Sequence, residues 1–306
     1  MKPVAVMIPT LRRPAGLTRA LQSLFRQTGA VDLLAEIVVV DNAPEGSAWS
    51  VIETLRHESP WPLVYVHMPQ PGVANARNAG VCATQARFIA FLDDDEMAAP
   101  DWLSRLYAAH VGLGCDVTFG PIDGVADGAP PKARAWLDSF FSRHGPKETG
   151  LISQSFGCGN SIMTRATALP GHAPFDPASN RGGGEDDRLF QALSQSGGRF
   201  GWACDAWVKE YAPPRRATPA YALTRAVAYG QGPAKACARA NPCDWLGVGR
   251  WMLIGAAQAA LFAPAFLILW LLQRPGAWPM ADRAARGLGK IIWMRPLEFY
   301  GTASPD

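Results

Sequence analysis

Apolar and polar positions alternate along the first hundred residues in blocks that predict strands and helices in turn. Short apolar or β-branched runs predict strands at Val4–Ile8, 36–41, 63–67 and 88–92. Between them, apolar residues at helical spacing predict helices at 14–28, 48–57 and 75–84. The alternation predicts an α/β protein with an open, mostly parallel sheet and helices on both faces.

The pattern loosens after residue 100. Helices are predicted at 100–113, 134–142, 185–196 and 217–240, and strands at 116–119 and 160–164. Residues 120–155 are rich in Gly, Pro and charge. The main domain is therefore expected to extend to about residue 240.

A second kind of segment follows at Trp251–Leu272, which is apolar apart from Gln258 and long enough to cross a bilayer. Basic residues flank it on both sides, which conflicts with the positive-inside rule for a single span. Pro264 could break it into a hairpin that lies on the membrane. The pattern predicts membrane attachment, and the basic flanks favour the hairpin over the span.

Composition narrows the class of protein. Hydrophobic residues make up 48% of the 306 and charged residues 18%, which excludes intrinsic disorder. A net charge of +3 is too small for a dedicated nucleic-acid binder. Six cysteines without a CxxC pair exclude a disulfide scaffold and argue against structural zinc. The first apolar run is too short for a signal-peptide core, so we expect the N-terminal part in the cytosol.

The strongest chemical signal is Asp93-Asp94-Asp95-Glu96, directly after the predicted strand at 88–92. Four consecutive acids repel one another, and a hard cation such as Mg²⁺ or Mn²⁺ would relieve that repulsion. Alternate residues at a strand end can point the same way, so Asp93 and Asp95 could face one ion. A solvated acidic turn is the alternative, but ligands of such sheets bind at the carboxyl ends of strands.

Three further segments carry candidate chemistry. Asp41 ends the second strand, where it could accept from a base or ribose or simply close an Asx turn. Gly72–Gly80 contains Arg77, which could pair with phosphate or be solvated on a small-residue helix. Gly182–Asp187 places carboxylates at a helix start, which fits a mobile active-site loop or a helix cap.

Taken together, these segments resemble the family 2 glycosyltransferases of the GT-A fold over roughly residues 3–230. The resemblance is carried by the ordered motifs VMIPT with Arg13, VVVDN, GVANARNAG, FLDDD, GCGN and GEDD. A softer match over residues 210–232 is similar to exopolysaccharide-type members. The resemblance implies a GT-A, Rossmann-like sheet flanked by helices, with a catalytic domain at 1–240 and a membrane-associated helical segment at 241–306.

The resemblance also implies roles for individual residues. Asp41 would accept from the donor's nucleobase, and Asp186 would be the catalytic base. Asp93 and Asp95 would form the metal motif, with Asp95 the expected direct ligand through the donor diphosphate. The remaining substrate-binding residues would be Pro9, Thr10, Arg13, Arg77, Asn78, Gly159, Asn160 and Glu185.

The implied activity is metal-dependent, inverting transfer of one sugar from a nucleotide-diphosphate sugar, with UDP as the expected nucleotide. The acceptor would be a hydroxyl of a glycan or polyprenyl-linked saccharide at the cytoplasmic face of the membrane. A Gln-x-x-Arg-Trp signature, typical of processive synthases, is absent. The alternatives are a sugar-nucleotide pyrophosphorylase, disfavoured because Pro9–Arg13 replaces a glycine-rich loop, and a non-catalytic sugar-nucleotide-binding protein.

Overall fold

A computed structural model describes residues 2–180 and 183–295 of the chain. The strands are β1 (Val4–Thr10), β2 (Leu34–Asp41), β3 (Leu63–His67), β4 (Phe88–Phe91), β5 (Glu96–Ala98), β6 (Val117–Phe119), β7 (Ile122–Val125), β8 (Gly150–Ile152), β9 (Ser161–Thr164), β10 (Phe200–Trp202) and β11 (Val208–Tyr211). The helices are α1 (Pro14–Phe25), α2 (Trp49–Leu55), α3 (Val73–Ala83), α4 (Trp102–Leu113), α5 (Pro131–Phe141), α6 (Arg165–Ala168), α7 (Glu185–Gln195), α8 (Pro219–Arg239), α9 (Trp245–Leu271) and α10 (Ala277–Ile291).

Eight strands form the central sheet, in the order β3-β2-β1-β4-β9-β6-β10-β8. The pairs among β3, β2, β1 and β4 are parallel, as is the pair of β6 with β10. Strand β9 runs antiparallel to both β4 and β6, and β8 runs antiparallel to β10. The predicted α/β class with a mostly parallel sheet is confirmed. A second sheet has the order β5-β11-β7.

Both faces of the central sheet are covered, which explains why its strands read as continuous apolar runs. Along β1, Val4, Val6 and Ile8 belong to one fully buried cluster and Met7 to the other. On the Met7 side, α3 lies so close that a Cβ added at Gly80 would meet Met7 Sδ at 1.8 Å. The small residues of the 72–80 motif therefore let this helix approach the sheet.

Residue contacts divide the chain into two compact units. The first holds residues up to Asp123 together with Ser142–Tyr211, and so contains the central sheet. The second holds Gly124–Phe141 and the chain from Ala212, with helices α5, α8, α9 and α10. The boundary between a catalytic domain and a membrane-associated segment after residue 240 stays a prediction. By residue contacts, α8 belongs with the C-terminal helices.

The predicted break at Pro264 is wrong. Helix α9 continues through Pro264 from Trp245 to Leu271 without interruption. The chain reverses after α9 instead, and α10 returns antiparallel to it, with Gly287 against Gly255 and Trp278 near Phe266. A proline removes one backbone donor, which a long helix can tolerate when packing holds it on either side.

Candidate active site

The candidate site begins where parallel strands end at the same edge of the sheet. Thr10 at the end of β1 lies opposite Asp41 at the end of β2, and the Asp93–Glu96 run follows β4. Thr10 Oγ1 donates to Asp94 Oδ2 at 2.8 Å, which ties the first strand to the acid run. Pro9 lies half-buried in β1, in register with Val40. Several of the candidate residues therefore lie together at the sheet edge that the sequence predicts.

The four acids of the run have different surroundings. Arg13 Nη1 donates to Asp94 Oδ1 at 2.9 Å and to Asp95 Oδ2 at 2.7 Å. Glu96 is buried, and its Oε2 accepts from the backbone N–H of Asp93 at 2.9 Å. Asp93 keeps 37% of its side chain exposed, against 7% for Asp94. Asp93 is thus the most exposed of the three aspartates, whereas Asp95, 11% exposed, shares Arg13 with Asp94, and Glu96 organises the turn.

Crowding of negative charge shows in the pKa values of this run. Burial raises the pKa of Asp94 to about 6, with the neighbouring Asp95 adding to the shift and Arg13 opposing it. Burial also raises the pKa of Asp93, and Asp95 and Asp186 raise it further against the opposing effect of Arg77. The pKa of Glu96 is raised well above its usual value by burial and by Asp93. A bound cation would relieve this repulsion.

A cation bound by the described residues would take most of its ligands from other groups, such as phosphates and water. Within residues 2–180 and 183–295, no group of three or more His, Cys, Asp or Glu side chains is arranged to hold a metal ion by itself. Asp93 and Asp95 are hard oxygen donors, the type that Mg²⁺ and Mn²⁺ prefer. Magnesium sites often combine one or two carboxylates with ligand phosphates and water. The pair therefore suits a metal bound together with a diphosphate.

Arg77 lies buried between two parts of the site. It projects from α3, pairs with Glu185 through Nη1, and lies 3.8 Å from Asp93 Oδ1 through Nη2. Its guanidinium is 5.6 Å from the ring centre of Phe175, and its buried Nε has no hydrogen-bond partner among the described residues. Glu185 is the first residue of α7, so the ion pair connects that helix to α3. The predicted Arg77 and Glu185 are therefore brought together with Asp93.

Asp186 follows Glu185 in the first turn of α7 and contacts the loop at 157–160. Its Oδ2 accepts from the backbone N–H of Cys158 at 3.1 Å, and its Oδ1 accepts from Asp187 N at 2.9 Å. The same loop presses on the acid run, because a Cβ at Gly159 would lie 2.7 Å from both Asp93 Oδ2 and Glu96 Oε1. Glycine is thus required at Gly159 for the loop to approach the acids.

Arg143 holds that loop in place, and sequence reasoning missed it. Its guanidinium donates to the backbone carbonyls of Gly120, Gly157, Gly159 and Asn160, at distances from 2.6 to 3.1 Å. Burial lowers the pKa of Arg143, and Glu96 opposes that shift. Arg143 lies in a Gly- and Pro-rich stretch and belongs to no recognisable motif. Its role could therefore not be predicted from the sequence.

Three predicted substrate-binding residues use their side chains inside the protein. Asn160 is fully buried; it accepts from Trp102 Nε1 at 2.7 Å and donates to the carbonyls of Pro121 and Ala206. Asn78 exchanges two hydrogen bonds with the backbone of Phe175. These asparagines therefore support the site from behind its surface in the described structure.

Asp41 is the third. Its carboxylate accepts from Ala43 N at 3.0 Å, Ala48 N at 2.6 Å and Tyr65 Oη at 3.2 Å. Burial, together with the nearby Asp41, raises the pKa of Tyr65 to about 12. Asp41 has no exposed surface, so in the described structure its carboxylate serves donors of the protein itself.

Comparisons with known proteins agree with this architecture. Residues 5–169 match the family model described as glycosyl transferase family 2. The succinoglycan biosynthesis protein ExoM of Rhizobium meliloti (strain 1021) is 32% identical over 230 residues, which cover 74% of this chain and 73% of that protein.

Two solved structures share the fold. The mannosyltransferase PcManGT of Pyrobaculum calidifontis, in complex with GDP-Man and Mn²⁺, matches 96% of this chain and 88% of its own, with a TM-score of 0.62 and 20% identity. TarS 1-349 of S. aureus in complex with UDP-GlcNAc matches 94% of this chain and 92% of its own, with a TM-score of 0.55 and 17% identity. The family model covers more than half of the 306 residues, and the chain belongs to glycosyl transferase family 2 as a nucleotide-sugar-dependent glycosyltransferase.

Proposed function

We propose that this enzyme transfers one sugar from a UDP-sugar to a hydroxyl of a glycan or lipid-linked acceptor, with inversion and with Mg²⁺ or Mn²⁺. The observation that carries the proposal is the meeting of three carboxylates from two elements. Asp93 and Asp95 follow β4, while Asp186 is held against the Cys158–Gly159 loop that packs on Asp93. A metal-binding pair beside a separate carboxylate supports displacement of a diphosphate by a hydroxyl.

Each group has a distinct task in that reaction. Asp186 accepts the proton of the acceptor hydroxyl, because its carboxylate sits at the loop and is only partly buried. Asp93 and Asp95 would hold the cation that is bound together with the donor diphosphate. When bound, the cation would stabilise the negative charge that grows on the leaving diphosphate. Arg77 and Arg13 keep the acid run in position through their ion pairs.

We place the nucleotide at the strand-end edge of the sheet beside Thr10. Asp41 is fully buried, so it would shape the base site indirectly, through its bonds to Ala43, Ala48 and Tyr65. TarS, which shares the fold, is in complex with UDP-GlcNAc, whereas PcManGT is in complex with GDP-Man. UDP is therefore our proposal for the base, and GDP is the competing nucleotide.

The acceptor and location follow from the C-terminal part and from the relative. ExoM is named for succinoglycan biosynthesis, which supports a role in cell-surface polysaccharide synthesis. Helix α9 is long and apolar enough to cross a membrane by length and composition. We propose that residues 251–272 attach the enzyme to the cytoplasmic face of the membrane, where nucleotide sugars and polyprenyl-linked acceptors meet.

The test is a donor panel on the full-length enzyme. UDP- and GDP-sugars would be supplied with Mn²⁺, thermal stability would report binding, and nucleotide release would report turnover, because a bound ligand stabilises by mass action. We expect stabilisation by a UDP-sugar that needs the metal, and release of UDP when polyprenyl-linked saccharide is added. Stabilisation by GDP-sugars alone would contradict the choice of UDP. Turnover unchanged in excess chelator would contradict the metal.

A further inference from the structure

Helix α9 has apolar side chains on two opposite faces. One face packs on α10, where Gly255 approaches Gly287 so closely that an added Cβ would lie 2.5 Å from the Gly287 carbonyl. The other face carries Leu246, Leu253 and Leu261, which are 89%, 74% and 65% exposed. At 100° per residue, this row lies opposite Gly255. A helix that is apolar all round normally has both faces covered.

Both ends of this helix rest on the same unit. Beyond its C-terminal end, Gln273 accepts a hydrogen bond from Lys132 of α5. Near its N-terminal end, a Cβ added at Gly247 would lie 2.8 Å from Cys237 Sγ of α8. Helix α10 runs between, and Gly230 of α8 is packed against its Arg286 carbonyl. Helix α9, about 40 Å long, is thus supported along its length by α8 and α10.

This support is incompatible with a membrane-spanning orientation. A span would place the ends of α9 on opposite sides of about 30 Å of hydrocarbon. The helices fixed along it would then enter the bilayer with their charges. Of these helices, α10 carries the Arg286–Asp282 pair. Charged side chains at that depth are costly and rarely face lipid.

Charge identifies what covers the exposed row. Residues 212–295 contain eleven Lys and Arg but only two Asp and Glu, whereas the rest of the chain contains 18 and 24. Arg250 and Arg274 lie exposed at either end of the apolar stretch. An apolar row bordered by arginines matches acyl chains below anionic headgroups. A second copy would bring the same positive charge to the contact.

We propose that α9 lies in the plane of an anionic membrane surface without crossing it. The exposed leucine row enters the outer acyl region, and the arginines contact the headgroups. This inference deepens the proposed membrane attachment, which a spanning helix would satisfy equally well. It also places both ends of α9 on the same side of the membrane.

Binding to vesicles is the first test. The full-length protein would be floated with vesicles of phosphatidylglycerol and phosphatidylcholine, and with phosphatidylcholine alone. We expect binding to the anionic vesicles that falls at least tenfold on phosphatidylcholine alone and in 0.5 M salt, where charges are screened. The triple variant Leu246→Gln, Leu253→Gln, Leu261→Gln should lose binding. Leu151→Gln, an exposed leucine of the catalytic unit, is the matched control. A salt-resistant dimer that ignores vesicles would overturn the proposal.

Depth in the bilayer is the decisive test. Single cysteines at Leu246, Leu261 and Leu271, made in a Cys82→Ser, Cys243→Ser background, would carry a fluorophore that is quenched by lipids labelled at known depths. We expect all three labels at the same shallow depth. A label at Leu261 near the bilayer centre, with the other two at the interfaces, would show a span and refute the in-plane orientation.

Donor hydrolysis in detergent separates this inference from the proposed function. The leucine-row variants leave the strand-end site untouched, so their release of UDP from the donor should match that of the wild type. Loss of vesicle binding with normal hydrolysis supports the inference. A wild type that binds vesicles in the plane but releases no nucleotide would count against the proposed activity and leave the orientation intact.

Discussion

The carboxylate of Asp186 accepts a hydrogen bond from the backbone N–H of Cys158, with 3.1 Å between Oδ2 and N. The bond joins the first turn of α7 to a loop whose next residue, Gly159, touches Asp93 and Glu96. The position of Asp186, the proposed proton acceptor, is thereby coupled to the acid run.

Replacing the proposed base should remove turnover and keep donor binding. Asp186→Asn preserves the shape of the side chain but cannot accept the proton, so turnover should fall on the order of a hundredfold or more. Asp187→Asn, one residue along and exposed, is the matched control and should stay near wild type. Steady-state kinetics and donor-induced thermal shift would be measured together. If donor affinity fell as far as turnover, Asp186 would be a binding residue.

The acid run should separate into a metal-binding and a supporting half. Asp95→Asn should abolish the Mn²⁺-dependent part of donor binding and leave the protein folded. Asp94→Asn should mainly lower stability, because Asp94 accepts from both Thr10 and Arg13. Thermal shift with and without Mn²⁺ distinguishes the two effects. Metal-dependent donor binding that survives in Asp95→Asn would rule out Asp95 as a ligand.

Arg143 should act as a positioning residue. Arg143→Lys keeps the charge but cannot reach four carbonyls with one planar fork. We expect turnover to drop at least tenfold with a small change in donor KM, because the 157–160 loop would loosen around Asp186. Unfolding should be easier by about 2 kcal/mol, as hydrogen bonds from a charged group are lost.

Arg105→Lys, an exposed arginine paired with Asp101, serves as the control for Arg143→Lys and should change neither quantity. Equal losses of kcat and of donor affinity in Arg143→Lys would mean that Arg143 shapes the donor pocket rather than the loop.

Protonation should remove the contribution of His110 to the stability of the catalytic unit, while Asp94, whose pKa is raised to about 6, contributes with the opposite sign. The ring nitrogens of His110 contact Thr118 Oγ1 at 3.0 Å and Thr164 Oγ1 at 2.9 Å, and burial lowers the pKa of His110 from 6.5 to about 4. Asp116 opposes the shift and Arg87 adds to it. Between pH 6.5 and 4 the unfolded state binds more protons at His110 than the folded state does. This contribution to the free energy of unfolding therefore decreases as the pH is lowered. The full loss is about 3 kcal/mol.

Denaturant unfolding at pH 7.5, 5.5 and 4 would measure this loss as the difference between the wild type and His110→Gln, which share the opposing contribution of Asp94. His110→Gln should show a smaller fall over the same window, although it starts from a lower stability. His57→Gln, which changes an exposed histidine, should keep the slope of the wild type. An unchanged slope in His110→Gln would show that other groups cause the acid sensitivity.

Local pattern was sufficient for the strands that surround the site. The apolar runs at β1, β2 and β4 and the acids that follow β4 are neighbours in sequence, so the sheet edge and the Asp93–Asp95 pair could be predicted. The short β5, β7, β8, β10 and β11 carry three or four residues each and lack periodicity. Their partners come from distant segments, so no local signal could have identified them.

The supporting residues depend on distances that the sequence does not contain. Asn160 and Asn78 matched family motifs but hydrogen-bond to Trp102 and Phe175, which lie 58 and 97 residues away. Arg143 reaches carbonyls between 14 and 23 residues away without a motif of its own. At Pro264, a local rule pointed to a break, but packing on α10 preserves the helix.

Because α9 packs against α10, the apolar segment cannot be removed by truncation without changing the packing of the neighbouring helices. A chain ending at residue 245 would also lose α10, and with it the cover over Gly230 and Val227 of α8. Such a protein would lose the exposed leucine row but would expose the surface of α8 that α10 covers. We expect it to aggregate through that surface. A soluble form is better sought by making the outer face of α9 polar while the glycines at its inner face stay as they are.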